Sequence, residues 1–420
     1  LISRVVDERV ELDRFLVVTF TRAAAEEMRA KIADRLTALV SKQSDDRFLR
    51  RQLRLLPRAH ISTVHGFCTS LLRENFQAAG LSPDFRVADV PESDALLERA
   101  LIELIESRYD RGDAGFLALV DALSAANDDE KLLRVTVAAY RRMLAHVDPH
   151  QWANEMRIAA RTLAADGPDA SDYAALVRSD ARHTLRYHLE RYQMCLPLTD
   201  GKPRAILEDE QAALEHLLDM LDTAPWDALV AAFTEVGFSI LRFPKGYPKE
   251  DAETVKAVRN EWKKTFVKLR ETVFSRNAAG VREDAAAVLP VAEALLSLVL
   301  DLDAAFTDLK RRRNLADFND LEHLTLDLLR LPDGSPSPLA AQLSRSYAEI
   351  MVDEYQDSNA VQDAIFSSLA HSSLFMVGDM KQSIYRFRLA DPTIFLRRYT
   401  EYPDAAPEHQ PRRVILSKNY

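Results

Sequence analysis

The sequence predicts an α/β fold, a parallel sheet domain interrupted by a long all-helical insertion. Three observations carry that prediction. Short apolar, β-branched runs alternate with helical runs near the start (residues 15–20 and 60–64) and again near the end (349–353 and 374–379). Such βα alternation is the signature of a parallel sheet. The stretch from about 91 to 309 has helical texture and no good strand candidate, and only 11 glycines in 420 residues argue against a turn-rich all-β protein.

Residues 15–20 (FLVVTF) form a nearly continuous apolar run with three β-branched positions, the mark of a strand buried on both faces. The helix that follows carries Met28, Ile32, Leu36 and Leu39 on one face. A second strand at 60–64 (HISTV) passes into another helix through Gly66. In the middle, Val255, Val258, Trp262, Phe266, Leu269 and Val273 keep steps of three and four, which predicts a helix over about 251–274. Loops are expected at 199–203 and 243–248 (FPKGYP). The runs at 349–353 (EIMVD) and 374–379 (LFMVGD) each end in Asp. That ending places a carboxylate at the carboxyl edge of a parallel sheet, where ligands bind. Asp391 and Pro392 read as an N-cap and first helical residue opening the helix TIFLRRY.

Composition narrows the class. With 47% hydrophobic and 29% charged residues, the chain is globular rather than disordered. Cys68 and Cys195 are far apart and outside any CxxC pair, so neither a disulfide framework nor a cysteine zinc site is expected. The first residues lack the apolar core of a signal peptide. The most apolar stretch, 288–300, is interrupted by Pro290 and Glu293 and reads as too short to span a bilayer. A cytoplasmic, reducing location is the expectation. The net charge of −10 argues against a nucleic-acid partner taken alone, although a basic groove can sit on an acidic body.

Four segments carry candidate chemistry. In IMVDEYQD (350–357), Asp353 is placed to hold Mg²⁺, and Glu354 to orient and deprotonate an attacking water. A bare Asp-Glu pair is also what an ordinary acidic loop would show, but Tyr355, Gln356 and Asp357 complete a longer motif. In the segment 374–392, Gly378 permits a tight turn, Asp379 lies at the sheet edge and Gln382 is a neutral amide suited to sensing a γ-phosphate. There Tyr385 and Phe387 alternate with Arg386 and Arg388, just after Lys381. That alternation suits single-stranded nucleic acid as well as it suits the core of a short helix. In TFTRAAAEEM (19–28), Thr21 is a plausible helix cap, and Phe20 and Arg22 are candidate DNA contacts. STVHGF (62–67) repeats that shape with Thr63 and His65, although a lone His at such a turn is usually structural.

Together and in this order, the four segments resemble the motor motifs of superfamily 1A DNA helicases of the UvrD/RecB group. Within that group KQSIYRFRLADP and DFNDLEH (317–323) look most like the AddA helicase–nuclease subunits. The resemblance is dense over 15–75 and 311–420 and thin between. It implies a RecA-like domain 1A built from 1–90 and 311–410, a 1B-like helical insertion at 91–310, and the start of domain 2A at 411–420. It implies ATP and Mg²⁺ as cofactors, with Asp353 and Glu354 as catalytic carboxylates and Gln382 as γ-phosphate sensor. Asp379 and Tyr420 would lie at the nucleotide, Tyr420 stacking on adenine. Phe20, Arg22, Thr63, His65, Tyr385, Phe387 and Arg388 would line a single-strand track. Phe387 stands where many relatives have Trp, and Leu389 where they have Gly. The implied partners are single-stranded or duplex DNA and an AddB-like subunit, with no membrane. The implied activity is 3′→5′ helicase movement with nuclease action in double-strand break repair.

The 420 residues contain no GxxxxGK[ST] phosphate loop, and Gly201-Lys202 is followed by Pro203. The chain is therefore expected to be a fragment that does not hydrolyse ATP usefully by itself. A UvrD-type helicase without nuclease, or a short inactive homologue that binds DNA or a partner, are the competing expectations.

Overall fold

The computed structural model describes residues 1–43, 45–124, 129–370, 373–382, 391–407 and 410–416. The chain divides into two compact units. One gathers Leu1–Arg111, Asp128–Trp152 and Val299–Tyr420, and the other Gly112–Asn127 and Ala153–Leu298.

The described residues form six strands: β1 (Phe15–Thr19), β2 (His60–Thr63), β3 (Arg86–Val87), β4 (Leu315–Ala316), β5 (Glu349–Val352) and β6 (Leu374–Met376). All belong to the first unit. Four of them form a wholly parallel sheet in the order β2-β1-β5-β6. These four fall on the four apolar runs of the sequence. Central β1 is buried at every position. Its side chains alternate between two cores: Leu16 and Val18 pack with Phe67, Leu71 and Phe366, while Phe15 and Val17 pack with Ile32 and Leu36. A strand covered on both faces has no polar side, which explains the unbroken run. Each fully buried Val or Leu there contributes about 1.5–3 kcal/mol. The helix Arg22–Lys42 supplies one cover, with Met28 and Leu39 flanking buried Ile32 and Leu36. At the sheet edge, β6 is only partly covered, and Phe375 and Val377 are exposed.

Strands β3 and β4 pair in parallel, Arg86 opposite Leu315 and Val87 opposite Ala316. They bracket the long helical stretch, so the two ends of that stretch start side by side within the first unit. Two-residue strands carry no periodicity, so nothing in the residue pattern announces them.

The helical stretch is shared between the units. Val90–Arg111, Glu130–Leu144 and the final turns of the helix Ala278–Arg312 belong with the sheet. The second unit is all helical and closes over an aromatic core of Trp226, Phe233, Trp262, Phe266 and Phe274. Its helix Lys249–Thr272 matches the predicted periodicity, burying Val255, Val258, Trp262, Phe266 and Leu269. Beside that core lies a buried ion pair, Arg259 with Glu210, whose carboxylate also accepts the Tyr192 hydroxyl at 2.8 Å. The expected loop at 199–203 is shorter than its residues suggest, because the helix Gly201–Thr223 begins inside it. Pro203 sits in that helix's first turn, where a missing N–H leaves no hydrogen bond broken.

The apolar stretch around 288–300 also departs from expectation. It continues in both directions into the 35-residue helix Ala278–Arg312, whose most apolar window has a mean hydropathy of 1.9. By length and composition that helix could cross a membrane. In the fold, Glu293 pairs with Arg161, and Val299, Leu302 and Phe306 are buried among protein side chains. Cys68 and Cys195 are both free and buried, and burial pushes the Cys68 thiol up to about 12.

Candidate active site

In a parallel sheet all strands end on the same edge, so strand-terminal residues line up there. Register makes the alignment specific: Thr19 lies opposite Thr63, Val18 opposite Val352, and Val352 opposite Met376. Extended by that register, Thr19, Thr63, Asp353 and Val377 share one row at the edge, and Phe20 and Val64 leave their strands one step beyond it. Backbone bonds extend the ladder past the strand ends. The Asp353 N–H donates to Val18 O at 3.0 Å, Val377 N–H to Val352 O at 2.9 Å, and Tyr355 N–H to Val377 O at 2.8 Å.

Asp353 and Glu354 face different surroundings. One Asp353 oxygen accepts the Glu354 N–H at 3.0 Å, and the other takes no hydrogen bond among the described residues. Partial burial pushes the Asp353 carboxyl above its ordinary value, and the negative charge of Glu354 adds to the effect. A divalent cation would reverse that balance. A hard carboxylate oxygen with an open lone pair fits Mg²⁺, which commonly takes one or two protein carboxylates and completes its shell with water and phosphate oxygens. No group of three or more His, Cys, Asp or Glu side chains that could hold a metal ion occurs among the described residues. Glu354 is exposed and adopts a left-handed backbone, φ 50° and ψ 40°. For a residue with a Cβ this costs about 1–2 kcal/mol. The turn separates the two neighbouring carboxylates into distinct environments.

Gln356, part of the motif but without a task that its position in the sequence reveals, holds this turn in place. It is buried, donates to Glu354 Oε2 at 2.8 Å and accepts the Asp379 N–H at 3.0 Å. One amide thus joins the segment after β5 to the segment after β6. Gly378 is required by the same contact, since a Cβ there would lie 2.5 Å from Gln356 Oε1. Beyond it, the Asp379 carboxylate accepts the Lys381 N–H and the Gln382 side-chain amide, both at 3.0 Å. The structure therefore brings Asp353, Glu354, Asp379 and Gln382 to one edge, with Gln382 exposed and tied to Asp379.

On the other side of β1, Thr21 caps the helix Arg22–Lys42 by accepting the Ala24 N–H at 3.1 Å. Phe20 is half-buried and Arg22 exposed. Thr63 caps the helix Val64–Glu74, accepting the Gly66 N–H at 3.1 Å. His65 packs on Phe318 with ring centroids 4.5 Å apart and places its Nε2 2.9 Å from Glu322 Oε1. Glu322 lies in DFNDLEH on the helix Phe318–Leu329, which begins with a capping box between Asp317 and Asp320. Neither the partner of His65 nor the role of Glu322 is legible in the sequence, because a lone Glu among helical residues carries no spacing signal.

Tyr385, Phe387, Arg388 and Tyr420 lie outside the described residues, as does Arg386. Past that gap Asp391 caps the helix Pro392–Glu401 by accepting the Thr393 N–H, and its own N–H donates to Ser358 O at 3.0 Å. Arg398 from that helix and the Tyr355 hydroxyl meet on Asp363, clamping the helix against the DEYQD segment.

The motif set and its arrangement agree with a family match. The model of the UvrD/REP helicase N-terminal domain matches residues 1–403. The chain belongs to the UvrD/REP helicase family. Among curated relatives, this helicase domain is 37% identical over 441 residues to the AddA-type ATP-dependent helicase/nuclease subunit of Pelotomaculum thermopropionicum, covering 100% of the chain and 34% of that protein. The protein of the same name from Geobacillus kaustophilus is 36% identical over 433 residues, with coverage of 98% and 34%. That of Acetivibrio thermocellus is 34% identical over 446 residues, with coverage of 100% and 35%. The helicase domain thus spans about a third of the length of the curated relatives it matches.

Proposed function

We propose that this chain is the first motor lobe of an AddA-like, ATP-dependent DNA helicase–nuclease that works in double-strand break repair. The observation that carries the reading is the carboxylate pair at the end of β5. Asp353 has an open oxygen, and Glu354 is set apart from it by a left-handed turn that Gln356 braces against Asp379. That geometry suits phosphoryl transfer, in which a protein mainly positions groups and stabilises charge. Asp353 would hold Mg²⁺, and Glu354 would orient and deprotonate the attacking water. Bound Mg²⁺ would supply neutralisation of the charge developing on the phosphate oxygens. Gln382, exposed and held by Asp379, suits a neutral sensor of the terminal phosphate.

In this reading, domain 1A comprises 1–90 and 311–410, the 1B-like insertion 91–310, and domain 2A begins at 411–420. Phe20, Arg22, Thr63 and His65 on the far side of the same edge, with Tyr385, Phe387 and Arg388, form the single-strand track, and Tyr420 stacks on the adenine of ATP. The partners are DNA and an AddB-like subunit, movement runs 3′→5′, and the location is cytoplasmic. The relatives' names support helicase and nuclease activity of a whole polypeptide about three times as long as this chain.

The test is strand displacement by the full-length protein on tailed duplexes. The reading predicts ATP- and Mg²⁺-dependent unwinding from a 3′ tail that Glu354→Gln abolishes. Unwinding that survives Glu354→Gln, or that starts only from 5′ tails, would contradict it.

A further inference from the structure

We infer that Glu322 is a positioning residue that couples the DNA-facing turn after β2 to the carboxylate segment after β5, an inference that rests on the helicase reading above. The buried Glu322 carboxylate receives three donors from two other elements. His65 Nε2, in the first turn of the helix Val64–Glu74, lies 2.9 Å from Oε1. Gln362 Nε2 donates to the same oxygen at 2.7 Å, and Asn359 Nδ2 to Oε2 at 2.8 Å.

Asn359 and Gln362 open the helix Ala360–Leu369, which follows directly on DEYQD. Ser358, between them and the motif, is fully buried and accepts the Asp391 N–H through its carbonyl. One carboxylate therefore fixes the entry to the helix behind Asp353 and Glu354. It also fixes the ring next to Thr63. Burial alone would push the Glu322 carboxyl up, but hydrogen bonds from His65, Asn359 and Gln362 outweigh it and hold the group ionised. An ionised carboxylate is acceptor-only, which is what three converging donors need.

The polarity of this junction is locked at Asn359. Asn359 Oδ1 caps its helix by accepting the Gln362 N–H at 2.8 Å, so the Asn359 amide cannot flip to offer Glu322 an oxygen. Glu322→Gln then sets an NH₂ against the Asn359 NH₂, or, if it turns over, against His65 and Gln362, which must switch tautomer and flip the amide to accept it. The first orientation leaves a buried donor facing a donor, and the second demands that both of those side chains rearrange, so neither is reached without a shift. A shift here moves the two strand-end segments relative to one another. Glu322 is well suited to pass the state of the DNA-facing turn to the hydrolytic one, in the physical sense of an element that two sites bias.

The second-site change Asn359→Asp restores the match. A carboxylate at position 359 can still cap the helix with one oxygen and can accept the NH₂ of the introduced glutamine with the other. The oxygen of that glutamine then keeps His65 and Gln362. This rescue depends on hydrogen-bond polarity at one contact and not on general fold integrity.

The experiment measures ATP hydrolysis by the full-length protein with and without single-stranded oligonucleotide, and takes the ratio of the two rates. Glu322→Gln is expected to lower that ratio by about fivefold or more, the lower range of energetic coupling between sites. Glu322→Gln with Asn359→Asp is expected to restore at least half of it. Melting curves on each variant show whether folding is kept. If Glu322→Gln is folded and keeps the wild-type ratio, the inference is overturned. It is overturned equally if the double variant folds and fails to recover. A wild-type protein that hydrolyses ATP without any response to DNA would instead overturn the helicase reading, and the coupling with it.

Discussion

Gly378 and Gln356 meet at a distance that only glycine allows: a Cβ on residue 378 would stand 2.5 Å from the Gln356 side-chain oxygen and 3.2 Å from its backbone nitrogen. The contact joins two strand ends, since that oxygen also accepts the Asp379 N–H while the amide nitrogen holds Glu354.

Gly378→Ala should therefore act on chemistry through Gln356. The added methyl displaces the amide, frees Glu354 and leaves a buried polar group unpaired, at a cost of about 1–3 kcal/mol. ATP hydrolysis by the full-length protein should fall with KM for ATP less affected than kcat. An unchanged kcat would show that the brace is dispensable.

Glu354 offers a test that separates strain from catalysis. Its left-handed backbone is unfavourable for any residue with a Cβ. Glu354→Gly should be more stable than Glu354→Ala by about 1 kcal/mol, although both lose the proposed general base, a role worth about 100- to 10,000-fold in rate. Thermal melting of the two variants reads the first quantity and steady-state hydrolysis the second. Equal melting points would mean that the turn relaxes when the side chain is removed.

Acid should weaken the His65–Glu322 junction in a defined window. The Glu322 carboxyl lies below its ordinary value, near 4.3 for an unfolded chain. A group depressed on folding stabilises the protein fully above the unfolded value, and that contribution is lost as pH falls through the folded value. Stability should therefore fall below about pH 4.3 more steeply in wild type than in Glu322→Gln. Parallel acid limbs in denaturation curves would argue against an ionised Glu322.

Lys310 is a structural counterpart in the same unit. It is almost fully buried, with its Nζ 2.8 Å from Asp317 and 2.7 Å from Asp320, the two residues of the capping box that starts the DFNDLEH helix. Lys310→Met keeps the volume but strands two largely buried carboxylates, which should cost about 3–5 kcal/mol. Adding Asp317→Asn and Asp320→Asn should recover much of it. A single variant as stable as wild type would show that water reaches the cluster.

What is legible in the sequence follows from physical periodicity. Strand β1 can be read because burial on both faces demands apolar residues at each position, and the helix Lys249–Thr272 because its buried stripe repeats at helical spacing. The carboxylates are legible because strand ends and Asp-Glu pairing are local. Strands β3 and β4 are not, since two residues hold no period. The length of the apolar helix Ala278–Arg312 is hidden because Pro290 and Glu293 look like interruptions, although a proline and one paired acid are accommodated inside it. The tasks of Gln356 and Glu322 are hidden for a different reason. Each depends on partners brought together only by the sheet, 23 residues away for Gln356 and Asp379, and 257 for Glu322 and His65.

The role proposed for Asp353 and Glu354 is that of the hydrolytic centre of a DNA-driven ATPase. It is tested most directly by steady-state ATP hydrolysis of the full-length protein, with and without single-stranded DNA, in wild type and Glu354→Gln. Wild-type hydrolysis should depend on Mg²⁺ and be stimulated by DNA, and it should drop by about 100-fold or more in the variant. DNA-stimulated hydrolysis of equal rate in the two proteins would contradict it.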